Sequence, residues 1–83
     1  DLEPIMPEIH YSKQAVKFLK KQERSTQLRI IGAIENLPAG DVKKLQGVQG
    51  YRLRVGYYRV IFDYDGHILE ISKIGSRGEI YKN

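Results

Sequence analysis

The sequence predicts an α+β domain: an antiparallel sheet with an N-terminal helical hairpin packed on one face, in the order β-α-α-β-β-β. Three observations carry this. Apolar residues recur at helical spacing between Ser12 and Leu37, then alternate with a period of two from Tyr51 onward. Pro38 stands where the first pattern ends. Asp65-Gly66 divides the alternating region with a strong hairpin signal.

The elements follow in order. "PEIHY", residues 7–11, alternates weakly and reads as a short strand. Ser12 is an N-cap for "KQAVKFLKKQ". Ala15, Phe18, Leu19 and Gln22 mark one helix face, and Val16 widens it. Lys13, Lys17, Lys20 and Lys21 form a basic stripe on the other side. A tight connection around Arg24 and a second N-cap candidate, Ser25, open a helix with Leu28, Ile30, Ile31, Ile34 and Leu37 as its apolar residues. "PAGDVKKLQGVQG", residues 38–50, reads as a loop or partly extended link. Tyr51 to Val55 and Tyr58 to Tyr64 are strands flanking Gly56-Tyr57, and Ile68 to Ile74 is the last strand. The turn at Asp65-Gly66 is expected to be type I′. No βαβ alternation points to a parallel sheet.

A chain of 83 residues suits one domain, here residues 6–83, and is too short for two. Residues 1–5 are read as a cloning remnant or an N-terminal extension and receive no role. Hydrophobic residues at 41% and charged residues at 29% describe a folded, soluble chain and not a disordered one. Without cysteine there is no disulfide, no thiolate nucleophile and no thiolate metal ligand. No apolar run approaches the roughly 18 residues of a membrane span, so a cytoplasmic protein with no membrane partner is expected. His10 and His67 stand outside any ligand cluster, so neither a metal nor a cofactor is expected. The net charge of +4 favours a polyanionic partner.

The arrangement of that charge says more. "GYRLRVGYYRVIF", residues 50–62, holds Arg52, Arg54 and Arg59 among apolar residues. With Gly56-Tyr57 as a two-residue turn, Arg54 pairs with Arg59, Leu53 with Val60 and Arg52 with Ile61. Tyr51, Leu53, Val55, Tyr58, Val60 and Phe62 then face the helices, and the arginines share the opposite face. Like charges directly across a strand pair repel unless an anion lies between them. A phosphate would serve, because guanidinium matches its oxygens in a fork. Continuing the pairing through Asp65-Gly66 places Ser72 opposite Arg59 and Glu70 opposite Ile61, with Glu70 and Asp63 offsetting part of the charge. In "KIGSRGEIY", residues 73–81, Arg77 stands between two glycines and Tyr81 follows. Two readings fit these residues: a solvated basic face, or a phosphate site in which Arg52, Arg54, Arg59 and Arg77 converge on one concave, solvent-open surface.

"KLQGVQGYRLRVGYYRVIF" followed by "ISKIGSRGEIY" closely resembles the RelE/ParE superfamily of bacterial toxins, on the RelE side. The resemblance implies the toxin of a type II toxin–antitoxin system, an endoribonuclease that cuts messenger RNA in the ribosomal A site, stops translation and is restrained by a RelB-like antitoxin. Carried over position by position, it implies site residues at Arg52, Arg54, Arg59, Arg77 and Tyr81. The best-known members have lysines where this chain has Arg52 and Arg54. Cleavage of this kind uses the RNA's own 2′-OH as nucleophile and needs no metal. Arg59 and Arg77 suit the developing phosphoryl charge, whereas arginine is a poor proton carrier. Tyr81 fits two roles, a proton acceptor and a stacking surface for a base. The lysine stripe of the first helix fits a solvated face or a secondary RNA contact. Two further readings stay open: a ParE-like toxin directed at gyrase, and a non-catalytic module that binds nucleic acid or antitoxin.

Overall fold

The computed structural model describes residues 8–80. Residues 1–5 and Tyr81 lie outside that range. Its elements are β1 (Glu8–Tyr11), α1 (Lys13–Lys20), α2 (Arg24–Glu35), β2 (Asp41–Lys44), β3 (Tyr51–Val55), β4 (Tyr58–Tyr64) and β5 (Ile68–Ser76). The strands form one five-stranded sheet in the order β1-β5-β4-β3-β2. The fold class is the α+β one expected, with two corrections. The sheet is mixed, because β1 runs parallel to β5. The link after Pro38 contains a strand, β2, which pairs antiparallel with β3 as an edge.

Both corrections have long-range causes. Strand β1 runs directly into Ser12, whose amide donates to Ile71 O at 2.9 Å and prolongs the ladder. Its direction is therefore set by where α1 docks on β5, which no local pattern encodes. In β2 only Val42 is half-buried and the rest is exposed, so the alternation that marks a strand is faint.

The Ser12 hydroxyl caps α1 by accepting from Ala15 N at 3.1 Å. Helix α2 starts earlier than expected: its N-cap is Glu23, without a side-chain cap bond, and Ser25 lies inside the first turn. The hairpin is tied by Gln27, whose amide donates to Leu19 O at 2.7 Å and satisfies a carbonyl at the end of α1. Ala15, Leu19, Ile30 and Ile34 bury against Leu53, Val55, Val60, Phe62, Leu69, Ile71 and Ile74. Leu28, assigned to the apolar face, is 56% exposed. It lies on the outer side of α2, away from Ile30 and Ile34, the residues that reach the sheet.

The β3–β4 register is the one the pattern predicts, with Arg54 opposite Arg59 and Leu53 opposite Val60. Gly56 alone takes a positive φ in the turn, +58°, as a type II′ turn requires of its first central residue. The β4–β5 register differs. The central pair of that turn is Gly66-His67, because the Asp65 carboxylate accepts from the amides of His67 and Ile68, both at 2.8 Å, and stays in the flank. A bulge on β5 then adds one more residue. Gly75, not Ser72, lies opposite Arg59, and Lys73, not Glu70, opposite Ile61. The physical reason is the spacing "ISKI": Ile71 and Ile74 both belong in the core, and two polar residues between them break a period of two.

Candidate functional site: a cationic sheet face

The face turned away from the helices carries two arginine-bearing rows of side chains across the sheet. One row runs Asp41–Arg54–Arg59–Gly75, the other Lys43–Arg52–Ile61–Lys73. A third row, Asp63–Glu70–His10, crosses the far end. The acids expected to offset the arginines thus oppose each other away from them. The carboxylate that meets the arginines is Asp41, from the unexpected β2. Its two oxygens lie 3.7 Å from Arg52 Nη2 and 3.7 Å from Arg54 Nη1.

The arginines differ in exposure. The Arg54 side chain is 57% exposed and that of Arg52 22%. Arg52 Nε is buried with no hydrogen-bond partner among the described residues. Arg59 corrects the expectation of a uniformly open surface, being only 8% exposed. Its Nη1 donates to Gly56 O at 2.7 Å and to Tyr58 O at 3.0 Å, which turns the guanidinium toward the hairpin tip and locks it. Beside it, Ile80 packs on Gly75: a Cβ there would stand 3.2 Å from Ile80 Cδ1. Ile80 is itself buried, outside the main core. The turn that carries Ile80 brings Arg77 to the same end of the molecule, where the Arg77 amide donates to Tyr57 O at 2.8 Å and its side chain is exposed. Arg29 of α2 lies against the other side of Gly56.

Of the five site residues read from the sequence, Arg52, Arg54 and Arg59 share the helix-free face of the β3–β4 hairpin, the Arg77 backbone is bonded to the tip of that hairpin, and Tyr81 lies just beyond the described range. Lys13, Lys17 and Lys20 are exposed on α1 and Lys21 is exposed at its C-cap, in the helical layer, and none of them shares the arginine face. Lys43, Lys73 and Asp41 were missed. Lys43 and Asp41 had no strand to place them, and Lys73 reaches this face only through the bulge.

Among the described residues, the grooves of the surface are not lined by Arg52, Arg54 or Arg59. A groove of about 700 Å³ lies instead at the far ends of β3 and β4, among Lys44, Val48, Gln49, Tyr51, Asp63 and Tyr64. A cationic sheet face suits an extended polyanion better than a small molecule. Among the described residues no cluster of three His, Asp or Glu side chains is placed to hold a metal ion. No helix among them is long and apolar enough to cross a membrane.

A small α+β protein that displays arginines from a central hairpin on the helix-free side of its sheet defines a recognisable class. The chain belongs to the RelE/ParE superfamily of toxins: the family model for the ParE toxin of the type II toxin–antitoxin system, parDE, matches residues 9–81. Solved structures agree. A chain of the RelB–RelE antitoxin–toxin complex of Methanococcus jannaschii is 31% identical, with TM-score 0.71, over 87% of this chain and 94% of that one. A chain of the RelE–RelB complex of Pyrococcus horikoshii OT3 is 29% identical, with TM-score 0.71, over 90% and 99%. The Escherichia coli DinJ–YafQ complex shares the fold at 20% identity, with TM-score 0.70 over 94% and 100%. No curated protein sequence matches.

Proposed function

We propose that this toxin is an endoribonuclease that cuts messenger RNA, acting on the ribosome in the cytoplasm and inhibiting translation until a RelB-like antitoxin binds it. The observation that carries the reading is the Arg54–Arg59 cross-strand pair, flanked by Arg52 and Arg77, in which Asp41 is the one carboxylate among the described residues that ion-pairs with these arginines, at Arg52 and Arg54 and not at Arg59. Such a pair is unfavourable until an anion bridges it, and a phosphodiester is the anion whose oxygens fit two guanidinium forks. The RelE–RelB neighbours are toxin–antitoxin complexes, which supports the partner.

The chemistry follows from these residues. A base takes the proton of the 2′-OH, O2′ attacks the adjacent phosphorus in line, and O5′ leaves. The products are a 2′,3′-cyclic phosphate and a 5′-hydroxyl. Arg59, fixed by its hairpin bonds, and Arg77 stabilise the charge gathering on the phosphoryl oxygens, and prepositioned donors act most strongly there. Arg52 and Arg54 hold the strand. Tyr81 supplies the base or a stacking surface, and the α1 lysines add a secondary RNA contact.

The test is to map cleavage ends on a translated message with purified, antitoxin-free protein. The expected result is discrete cuts bearing cyclic phosphates. Arg77→Ala should lower single-turnover cleavage by about 10²–10³-fold, as loss of one charge-stabilising donor does. Tyr81→Phe should lower it by about 10²–10⁴-fold if the hydroxyl moves the proton, and leave it unchanged if the ring stacks. An intact message beside gyrase-linked DNA breaks would favour the second reading, a gyrase-directed toxin, which the ParE description of the matching family model supports. Antitoxin binding with neither activity would leave a non-catalytic module.

A further inference from the structure

We propose that Lys73 is the proton donor to the leaving O5′, an inference that rests on the RNA cleavage proposed above. The alkoxide formed when P–O5′ breaks needs a proton. An ammonium can give one up, whereas a guanidinium effectively cannot, so Arg52, Arg54, Arg59 and Arg77 do not fill the role. The described part of the arginine face offers two lysines, Lys43 and Lys73.

Three observations single out Lys73. The first is position. It lies opposite Ile61 and diagonal to Arg59, whose partner is Gly75. Diagonal neighbours in a sheet are about 7–8 Å apart, within the span of a long side chain. Lys43 sits exposed on edge strand β2, beyond Arg52. The second is the bulge. Without it the pairing Phe62–Ile71 would continue to Val60–Lys73, and Lys73 would point into the core while Ile74 stood beside Arg59. Bulges near functional sites re-aim side chains in this way. The third is the clamp on either side. Ser12 Oγ donates to Ser72 O at 2.8 Å and Ser72 Oγ donates to Ile61 O at 3.0 Å. The Gln14 amide donates to Ile74 O at 2.8 Å and accepts from Ile74 N at 2.9 Å. The backbone before and after Lys73 is thus pinned by side chains from the start of α1, and Gln14 is a positioning residue.

The step balances. The 2′-OH proton passes to the base and the O2′–P bond forms. The P–O5′ bond breaks with its electron pair on O5′, and a proton from Lys73 Nζ completes the 5′-hydroxyl. Solvent then reprotonates the amine.

The test compares ordinary RNA with RNA carrying sulfur in place of the bridging O5′, whose thiolate leaves without a proton. Both are presented as ribosome-bound message and as free RNA to the full chain. Lys73→Arg keeps the charge and removes the donor. It should cut ordinary RNA about 10²–10⁴-fold more slowly and the thio substrate at close to the parental rate. It should also lose the alkaline limb of the parental pH–rate profile. Lys73→Ala should be rescued in the same way, so the proposal does not hang on one variant. Parental cleavage of ordinary RNA by Lys73→Arg overturns the proposal. So does equal slowing on both substrates, which would make Lys73 an RNA-holding residue, and so does the rescue pattern appearing in Lys43→Arg. If the parent cuts neither substrate in either setting, the nuclease reading itself falls; if the parent cuts and only the Lys73 pattern fails, that reading stands.

Discussion

Gln14 is a polar residue on a short helix, and the structure gives it a strand's work. Strand β1 ends at Tyr11, opposite Ile71, so the outer edge of β5 beyond that point has lost its neighbour. Gln14 replaces it with two bonds to the backbone of Ile74, whose side chain is fully buried. Replacing Gln14 by alanine removes both. Each is worth about 1 kcal/mol net, and a freed group that water reaches poorly costs more. Alanine's better helix propensity returns a few tenths of a kcal/mol. The expected loss is about 2 kcal/mol, a large part of the roughly 5–15 kcal/mol that holds a small domain together. The melting temperature should fall by about 8–16 °C. Urea unfolding of the parent, Gln14→Ala and Gln14→Glu measures this. Glutamate keeps the acceptor for Ile74 N but loses the donor, so it should fall between the other two. A loss below about 0.5 kcal/mol for Gln14→Ala, the ordinary range for a surface change, would refute the reasoning and loosen the clamp assigned to Lys73.

Ser12→Ala should cost about 1–2 kcal/mol in urea unfolding, since its hydroxyl both caps α1 and bonds Ser72 O, whereas Ser25→Ala, in the first turn of α2, should be close to neutral. Gly75→Val should crowd Ile80 and cost about 1–3 kcal/mol; hydrogen exchange at the Arg77 amide, bonded to Tyr57 O, should quicken as the turn lifts. The Asp65 carboxyl is held below its ordinary value of 3.8 by the Ile68 and His67 amides. A lowered folded-state value stabilises above the ordinary one, so this contribution should be intact at neutral pH and disappear as pH falls through the lowered value. Asp65→Ala should therefore lower stability at pH 7 and converge with the parent in strong acid, as acid titration followed by circular dichroism would reveal.

What the sequence determined by itself is what local chemistry encodes. The change of period after Pro38 separates helices from strands. Gly56 in a two-residue turn sets Arg54 against Arg59, because a tight hairpin leaves the flanking residues one register. Other features belong to the tertiary structure. The parallel pairing of β1 depends on where α1 docks, some sixty positions along the chain from its partner strand. Strand β2, and with it Asp41 and Lys43, exists because an exposed edge can pair with β3 without an apolar pattern of its own. The β4–β5 register moved at the Asp65 carboxylate and again at the Ser72 bulge, so pairing counted from the turn drifted from Ser72 to Gly75. Arg59 looked as open as its neighbours in sequence and became buried beside a turn that returns over Gly75. Side-chain alternation is a short-range signal. Which residue finally stands opposite an arginine is decided by packing Ile71 and Ile74 into one core, and that requirement delivers Lys73 to the cationic face.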